Sequence, residues 1–161
     1  MRFIAPEPEH AEAFAGMMDE LQAHLGDERG RFTAEVALAD VIADDAPLSA
    51  LIAVDGDRLL GLVMWHFAYE TAFAARGGYV TDLYVREEAR GRGLGRHLLA
   101  AAAREVAEDG GVYLWLTAYR DNDAARAFYR QLASVEEDGV VAYAFVDRFD
   151  ALAAEGRTLL R

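Results

Sequence analysis

The chain has 161 residues, 53% of them hydrophobic, and a formal net charge of −12. That length suits one compact domain over residues 1–161 with a core of its own, and so acidic a surface repels phosphate backbones, which argues against nucleic acid and for cationic or neutral partners. Cysteine is absent, which removes disulfides, thiolate metal sites and a cysteine nucleophile. No stretch approaches the roughly 20 apolar residues of a membrane span, and Met1 to Ile4 run into Pro6 and polar residues without a secretory apolar region. A soluble, cytoplasmic protein with no membrane partner is expected.

After the apolar start, Phe14, Met17, Met18, Leu21 and Leu25 recur at offsets of three and four, which predicts a helix over residues 8–25. The loop Gly26-Asp27-Glu28-Arg29-Gly30 follows. Thr33 is placed to cap a second helix that carries Val36, Leu38, Val41 and Ile42 and ends near Pro47. Residues 48–54 and 58–68 read as strands, and Asp55-Gly56-Asp57 between them is a hairpin signal. Gly77-Gly78 introduces a third strand over residues 79–85. Leu94, Leu98, Leu99, Ala102 and Val106 then return to helical spacing up to Gly110-Gly111. Beyond these, a strand over residues 112–119, a helix from Asn122 or Asp123 to Leu132, a strand over residues 140–146 and a short terminal helix are expected. A hairpin followed by β-α-β-α-β order predicts an α/β (α+β) sheet with helices on its faces.

The segment Arg90-Gly-Arg-Gly-Leu-Gly-Arg96 lies between a strand and a helix. Gly91, Gly93 and Gly95 allow close backbone approach, free amides and the positive end of the following helix suit a diphosphate, and Arg90, Arg92 and Arg96 add charge. The Walker loop G-x-x-x-x-G-K-[ST] fails because the chain has no lysine. The dinucleotide fingerprint G-x-G-x-x-G fails because Arg96 stands at its third glycine. A tight strand-to-helix connection would explain the glycines taken alone. About 30 residues further on comes a second string, Asn122-Asp-Ala-Ala125-Arg-Ala-Phe128-Tyr129.

Arg90-x-x-Gly93-x-Gly95 resembles the acetyl-CoA loop of the GNAT superfamily, R/Q-x-x-G-x-G/A, and the later string resembles that superfamily's N-x-x-A-x-x-F-Y signature. The resemblance covers residues 51–146. It departs at Ala133, where relatives carry glycine after F-Y-x-x-L, which bears on the next turn and not on the donor site. It implies a single N-acetyltransferase domain with a mixed, mainly antiparallel sheet and helices on both faces. Acetyl-CoA would be the cosubstrate, held by Leu83, Tyr84 and Val85 of the strand, by Arg90, Gly91, Arg92, Gly93, Leu94, Gly95 and Arg96 of the loop, and by Asn122 and Tyr129. Backbone groups at Leu83 and Val85 would bind the pantetheine arm like an added strand, and an amide there would polarise the thioester carbonyl.

By the same resemblance Tyr129 supplies the proton for the departing thiolate, its reference pKa near 10 keeping the phenol protonated at neutral pH; a core tyrosine beside Phe128 is the alternative. Asp82 stands in an otherwise apolar strand, where a carboxylate is either paired or working. Tyr79-Val-Thr-Asp-Leu-Tyr-Val85 is similar to the spermidine/spermine (diamine) acetyltransferase subgroup, whose first of two adjacent acidic residues is the proposed base; here Thr81 holds that position. Asp82 acting through a water, no dedicated base, and an Asp paired structurally with an arginine all stay open. His66 reads as a hydrogen-bonded structural residue. Asp27 and Glu28, in the connection that walls the acceptor pocket of the superfamily, are candidates for attracting the amine, although a solvated charge run is the ordinary explanation.

The acceptor is therefore expected to be a small-molecule amine, a polyamine or diamine first, then an amino acid, an aminoglycoside or a protein amine. A non-catalytic acyl-CoA sensor is the rival. No histidine and carboxylate spacing suggests a metal site, so no metal is expected. A homodimer is compatible with the resemblance. An acetylating chain without lysine also has no side-chain amines of its own to modify.

Overall fold

The computed structural model describes residues 1–133 together with Val135 and Glu136. The chain divides into two compact units, Met1–Thr117 and Ala118–Arg161.

In the first unit, strand β1 (Arg2–Ile4) leads through a 3-10 turn at Pro8–His10 into helix α1 (Ala11–Leu25). Glu7 and His10 form a capping box across that turn, the Glu7 amide donating to His10 Nδ1 at 2.9 Å. The 3.6-residue stripe read from the sequence is buried: Phe14, Met17, Met18 and Leu21 all face the core. Gly26 ends the helix at φ +78°, where the left-handed conformation lets its amide and that of Asp27 return to the carbonyls of Ala23 and Gln22. Helix α2 (Ala34–Ala37) is capped by the Thr33 hydroxyl, which accepts from the Val36 amide at 3.3 Å, and it widens into a π-helical turn over Leu38–Ile42. The second helix is thus shorter and looser than its apolar spacing suggested.

Strands β2 (Ser49–Asp55) and β3 (Arg58–Glu70) form the expected hairpin around Gly56, at φ +59°. Strand β4 (Ala75–Val85) begins four residues earlier than expected, because Gly77 and Gly78 lie inside it instead of introducing it. The reason is packing. A Cβ at Gly78 would sit 2.8 Å from Val106 and 2.9 Å from Leu114, so only glycine lets the following helix and strand approach there. That helix is α3 (Leu94–Glu108), and strand β5 (Leu114–Leu116) returns parallel to β4. The sheet order is β1-β2-β3-β4-β5, antiparallel except for the last pair. Only three of the expected residues 112–119 form β5. In the second unit, helix α4 (Asp123–Tyr129) stops short of Leu132. The strand expected over residues 140–146 and the terminal helix lie outside the described residues.

Two apolar clusters cover the faces of the sheet. Phe14, Met17, Met18, Leu21 and Ala37 from the N-terminal helices pack with Ile52, Leu62, Met64 and Tyr84 on one face. Leu94, Leu98, Ala102 and Val106 of α3 pack with Val63, Trp65 and Val80 on the other. Among the described residues, no helix is long and apolar enough to cross a membrane.

Two glycines allow a test of this packing. A Cβ at Gly16, in the middle of α1, meets nothing within 4 Å, whereas one at Gly61 would lie 2.8 Å from the Tyr84 carbonyl oxygen. By urea denaturation, Gly16→Ala is expected to stabilise by about 1 kcal/mol through helix propensity, and Gly61→Ala to destabilise by about 1–3 kcal/mol through overpacking.

Candidate functional site

The site in the first unit is built by a change of register in β4. Val80 pairs with Trp65 and Asp82 pairs with Met64, which leaves Thr81 as an extra residue, a β-bulge. Before the bulge, the Gly78 amide donates to the Tyr113 carbonyl on the β5 side at 2.9 Å. After it, the Arg86 amide donates to the Leu60 carbonyl on the β3 side at 3.0 Å, and strand alternation then turns the backbone groups of Leu83 and Val85 away from β3. No β5 partner meets them. The parallel ladder ends at Val80↔Leu116, while β4 continues to Val85. Residues 81–85 therefore carry an edge without a strand partner among the described residues of this unit, its Val85 carbonyl engaged by Arg90 at 2.9 Å and the Leu83 groups and Val85 amide left for an extended group with amide and carbonyl functions.

Tyr84 differs from its neighbours. Its backbone faces Leu62 on β3, and its ring is buried with the α1 cluster. Its link to the glycine loop runs through Arg90, whose guanidinium carbon lies 5.7 Å from the ring centroid and whose Nε donates to the Val85 carbonyl at 2.9 Å. Arg90 thereby fastens the loop to the end of β4. Arg86 secures the same strand end from the other side: it donates to Glu20 Oε2 of α1 at 3.1 Å and to the Leu59 carbonyl at 3.0 Å. Burial, with Glu20 nearby, pushes the Tyr84 phenol above its usual range, against the pull of Arg90 and Arg86.

Between β4 and α3 the turn is conformationally committed. Gly91 and Gly93 lie at φ +75° and +78°, and a Cβ at Gly91 would meet nothing within 4 Å, so glycine is required there by backbone shape and not by space. Gly93 caps α3 without a side chain, and the first amides of the helix, at Leu94, Gly95 and Arg96, have neither an intrahelical nor a side-chain acceptor among the described residues. The side chain of Leu94 is committed to the core, so that residue offers only its amide. With Arg92 and Arg96 exposed beside those amides, the donor set fits an anionic diphosphate.

Asp82 is half-buried on the α1 side of the sheet, opposite Met64. Burial raises its carboxyl above the ordinary range, and a hydrogen bond from Thr81 works against that rise. Glu28 is exposed in the connection after α1 and pairs with Arg31, while Asp27 caps the end of α1 through its amide. The cleft of about 440 Å³ between α1 and α2 is lined by different carboxylates, Glu12, Asp19 and Glu35. Asp19 accepts from the Gly30 amide at 2.8 Å, which holds the loop between the helices. Among the described residues, no group of three metal-ligating side chains converges.

In the second unit, Asn122 caps α4, its Oδ1 accepting from the Ala125 amide at 3.1 Å, so that donation to a ligand falls to its amide nitrogen. Tyr129 is the last residue of α4, half-buried, its ring centroid 5.2 Å from that of Phe128. Arg126 and Arg130 both donate to Glu136, at 2.9 Å and 2.7 Å, and draw its carboxyl down to about 2.

Sequence reasoning did not find the Thr81 bulge, the anchoring roles of Arg86 and Arg90, or the placement of His66, Tyr79 and Thr117 on the Asp82 face. A bulge has no residue signature. The Tyr79 hydroxyl lies 3.0 Å from Thr117 Oγ1, a contact across 38 positions that no local pattern encodes.

Residues 14–133 match the Acetyltransferase (GNAT) family, and the chain belongs to it. A curated relative, the uncharacterized N-acetyltransferase YhfO of Bacillus subtilis (strain 168), is 30% identical over 93 residues, 58% of this chain and 62% of that protein. The match thus spans less than two thirds of that relative. Among solved structures, the fold is shared with the integron cassette protein VCH_CASS6 from the mobile metagenome of V. cholerae, with TM-score 0.77 and 22% identity over 94% of this chain and 96% of that one. It is shared too with a ribosomal-protein-alanine N-acetyltransferase from Brucella melitensis biovar Abortus 2308, with TM-score 0.73 and 24% identity over 89% and 99% of the two chains. An aminoglycoside acetyltransferase, meta-AAC0020, from an uncultured soil metagenomic sample gives TM-score 0.74 at 17% identity over 90% and 95%.

The raised carboxyl of Asp82 has a thermodynamic consequence. Below its unfolded value of 3.8 both states are protonated and burial costs nothing; as pH rises through that value the unfolded chain ionises first, and a penalty on the folded state grows until the folded carboxyl has ionised too. Asp82→Asn is therefore expected to leave the calorimetric Tm unchanged near pH 3 and to raise it at neutral pH. An equal shift at both pH values would contradict the assignment.

Proposed function

We propose that this chain is an acetyl-CoA-dependent N-acetyltransferase that transfers acetyl directly to a primary amine of a small molecule, with residues 1–161 serving one transferase domain. The observation that carries the reading is the open β4 edge at Leu83 and Val85, running into a glycine turn whose helix-initiating amides are uncapped. Membership of the acetyltransferase family supports it. Acetyl-CoA would supply an acetyl group activated as a thioester. Leu83 and Val85 would bind its amide-bearing arm as a strand binds its neighbour; the amides of Gly91 to Arg96, with Arg92 and Arg96, would hold its diphosphate; and an amide of the open edge would stabilise negative charge on the thioester oxygen. Arg90 serves by holding loop and strand together.

Tyr129 would donate the proton that the thiolate takes up, and Asn122 would steady the donor through its amide nitrogen. Asp82 would attract the ammonium, while the base that takes its proton is a group other than Thr81. A polyamine or diamine is the first choice of acceptor, supported by the Tyr79 to Val85 segment and by the net charge of −12. The names of two structural neighbours, one for an aminoglycoside and one for a ribosomal-protein alanine, keep those amines in the test panel. A homodimer in the cytoplasm is the proposed setting.

The test is calorimetric titration with acetyl-CoA, CoA, ATP and NAD, followed by free-thiol release across a panel of amines. Saturable acetyl-CoA binding and amine-dependent thiol release are expected. Tyr129→Phe should lower kcat by about 100-fold, the scale of one general acid. Gly93→Asp should weaken acetyl-CoA binding roughly tenfold or more, because left-handed strain costs a non-glycine residue about 1–2 kcal/mol and its carboxylate repels the diphosphate. Binding without turnover on any amine would instead favour a non-catalytic acyl-CoA sensor, and no acetyl-CoA binding would overturn the reading.

A further inference from the structure

One row of side chains crosses three adjacent strands on the α1 side of the sheet. His66 of β3 is the register partner of Tyr79 of β4, and Tyr79 is the register partner of Trp115 of β5. Alternation fixes their face. Trp65 and Val80 pack under α3, as do Leu114 and Leu116, so His66, Tyr79 and Trp115 point to the opposite side. The bulge at Thr81 then brings Asp82 onto this same face, one step along β4 from Tyr79, where an unbulged strand would have turned it away. The row lies one rung before the last pairing of β4 with β5, beside the point where the two strands part.

Its chemistry is specific. The imidazole of His66 and the ring of Tyr79 lie with centroids 5.4 Å apart at 34°, and the Tyr79 hydroxyl is held 3.0 Å from Thr117 Oγ1. His66 Nδ1 lies 3.0 Å from the Phe67 carbonyl oxygen. A carbonyl can only accept, so Nδ1 carries the proton and the neutral ring has its lone pair on Nε2. None of the three rings is fully buried. Aromatic faces and a nearby carboxylate together favour an ammonium group, and a basic nitrogen of fixed tautomer in that setting can receive a proton from one.

We propose that the row His66–Tyr79–Trp115, with Asp82, is the seat of the acceptor ammonium, and that His66 Nε2 is the base that takes its proton. This inference rests on the acyl-transfer reading above and names the group that Thr81 cannot be. The ammonium gives one proton to Nε2, and the imidazolium passes it to water. The neutral nitrogen then forms the C–N bond with the thioester carbonyl carbon as the C–S bond breaks. The second proton of that nitrogen replaces the one the donor phenol gives to the departing sulfur. The products are the amide, the free thiol and one proton in solution.

The experiment compares the full chain with its His66→Gln, His66→Ala, Tyr79→Leu and Trp115→Leu variants. The amines are 1,4-diaminobutane, spermidine, glycinamide and kanamycin, and acetyl-CoA affinity is measured by calorimetry as the control for folding. With whichever amine the wild type acetylates, His66→Gln should lower kcat by about 100-fold, as removal of a general base does, with acetyl-CoA affinity unchanged. Added imidazole should restore turnover to His66→Ala in proportion to its concentration, which a packing role would not produce. Tyr79→Leu and Trp115→Leu should raise KM for the amine while kcat is kept. Should His66→Ala lose acetyl-CoA binding, the His66→Gln result decides. Turnover that survives His66→Gln, or a loss that imidazole leaves unrestored, would overturn the inference and leave acyl transfer standing. A wild type that releases no thiol with any amine would overturn acyl transfer itself and this inference with it.

Discussion

The extra residue in β4 is the constraint from which the rest of the site follows. Strand β4 must stay on β3 along its whole length to complete the core, yet it must part from β5 after Val80. Thr81 meets both demands by shifting the alternation of every residue after it. Without that shift Leu83 and Val85 would face the helix α1 cluster, and Asp82 and Tyr84 would be driven under α3 against Leu98. With it, the aliphatic side chains enter the α3 cluster, the polar ones share the α1 face, and the amides of Leu83 and Val85 meet the open edge. A backbone irregularity of one residue thus sets both which side chains share the α1 face and which amides are left at the open edge.

Around that bulge the arginines divide their work. Arg86 and Arg90 are engaged with protein groups at the end of β4: the first with Glu20 and the Leu59 carbonyl, the second with the Tyr84 ring and the Val85 carbonyl. Arg92 and Arg96 remain exposed at the start of α3. A chain of net charge −12 therefore keeps a local positive field where free amides already point outward.

Where the fold rests on local signals, it is legible in the amino-acid sequence. The stripe of Phe14, Met17, Met18 and Leu21, the Asp55-Gly56-Asp57 hairpin, the Thr33 cap and the α3 pattern are of this kind, and each element forms where its residues are. Gly77 and Gly78 mislead because glycine usually punctuates an element, whereas here it admits Val106 and Leu114 into a continuous strand. The role of Arg90 is hidden for a related reason: a side chain that binds a carbonyl five residues back and a ring on the neighbouring strand position leaves no pattern in composition. His66 reads as a structural histidine because its partners, Tyr79 and Thr117 beyond it, are brought together only by strand pairing.

The most direct measurement is amide-resolved hydrogen exchange of the full chain, followed by NMR with and without saturating acetyl-CoA. New protection is expected at the amides of Leu83, Val85, Gly93, Leu94, Gly95 and Arg96, and none at Tyr84, whose amide already faces Leu62 across the sheet. Binding that leaves those amides exchanging as before, with protection gathered elsewhere, would contradict the assignment of the open β4 edge and the α3 turn as the donor site.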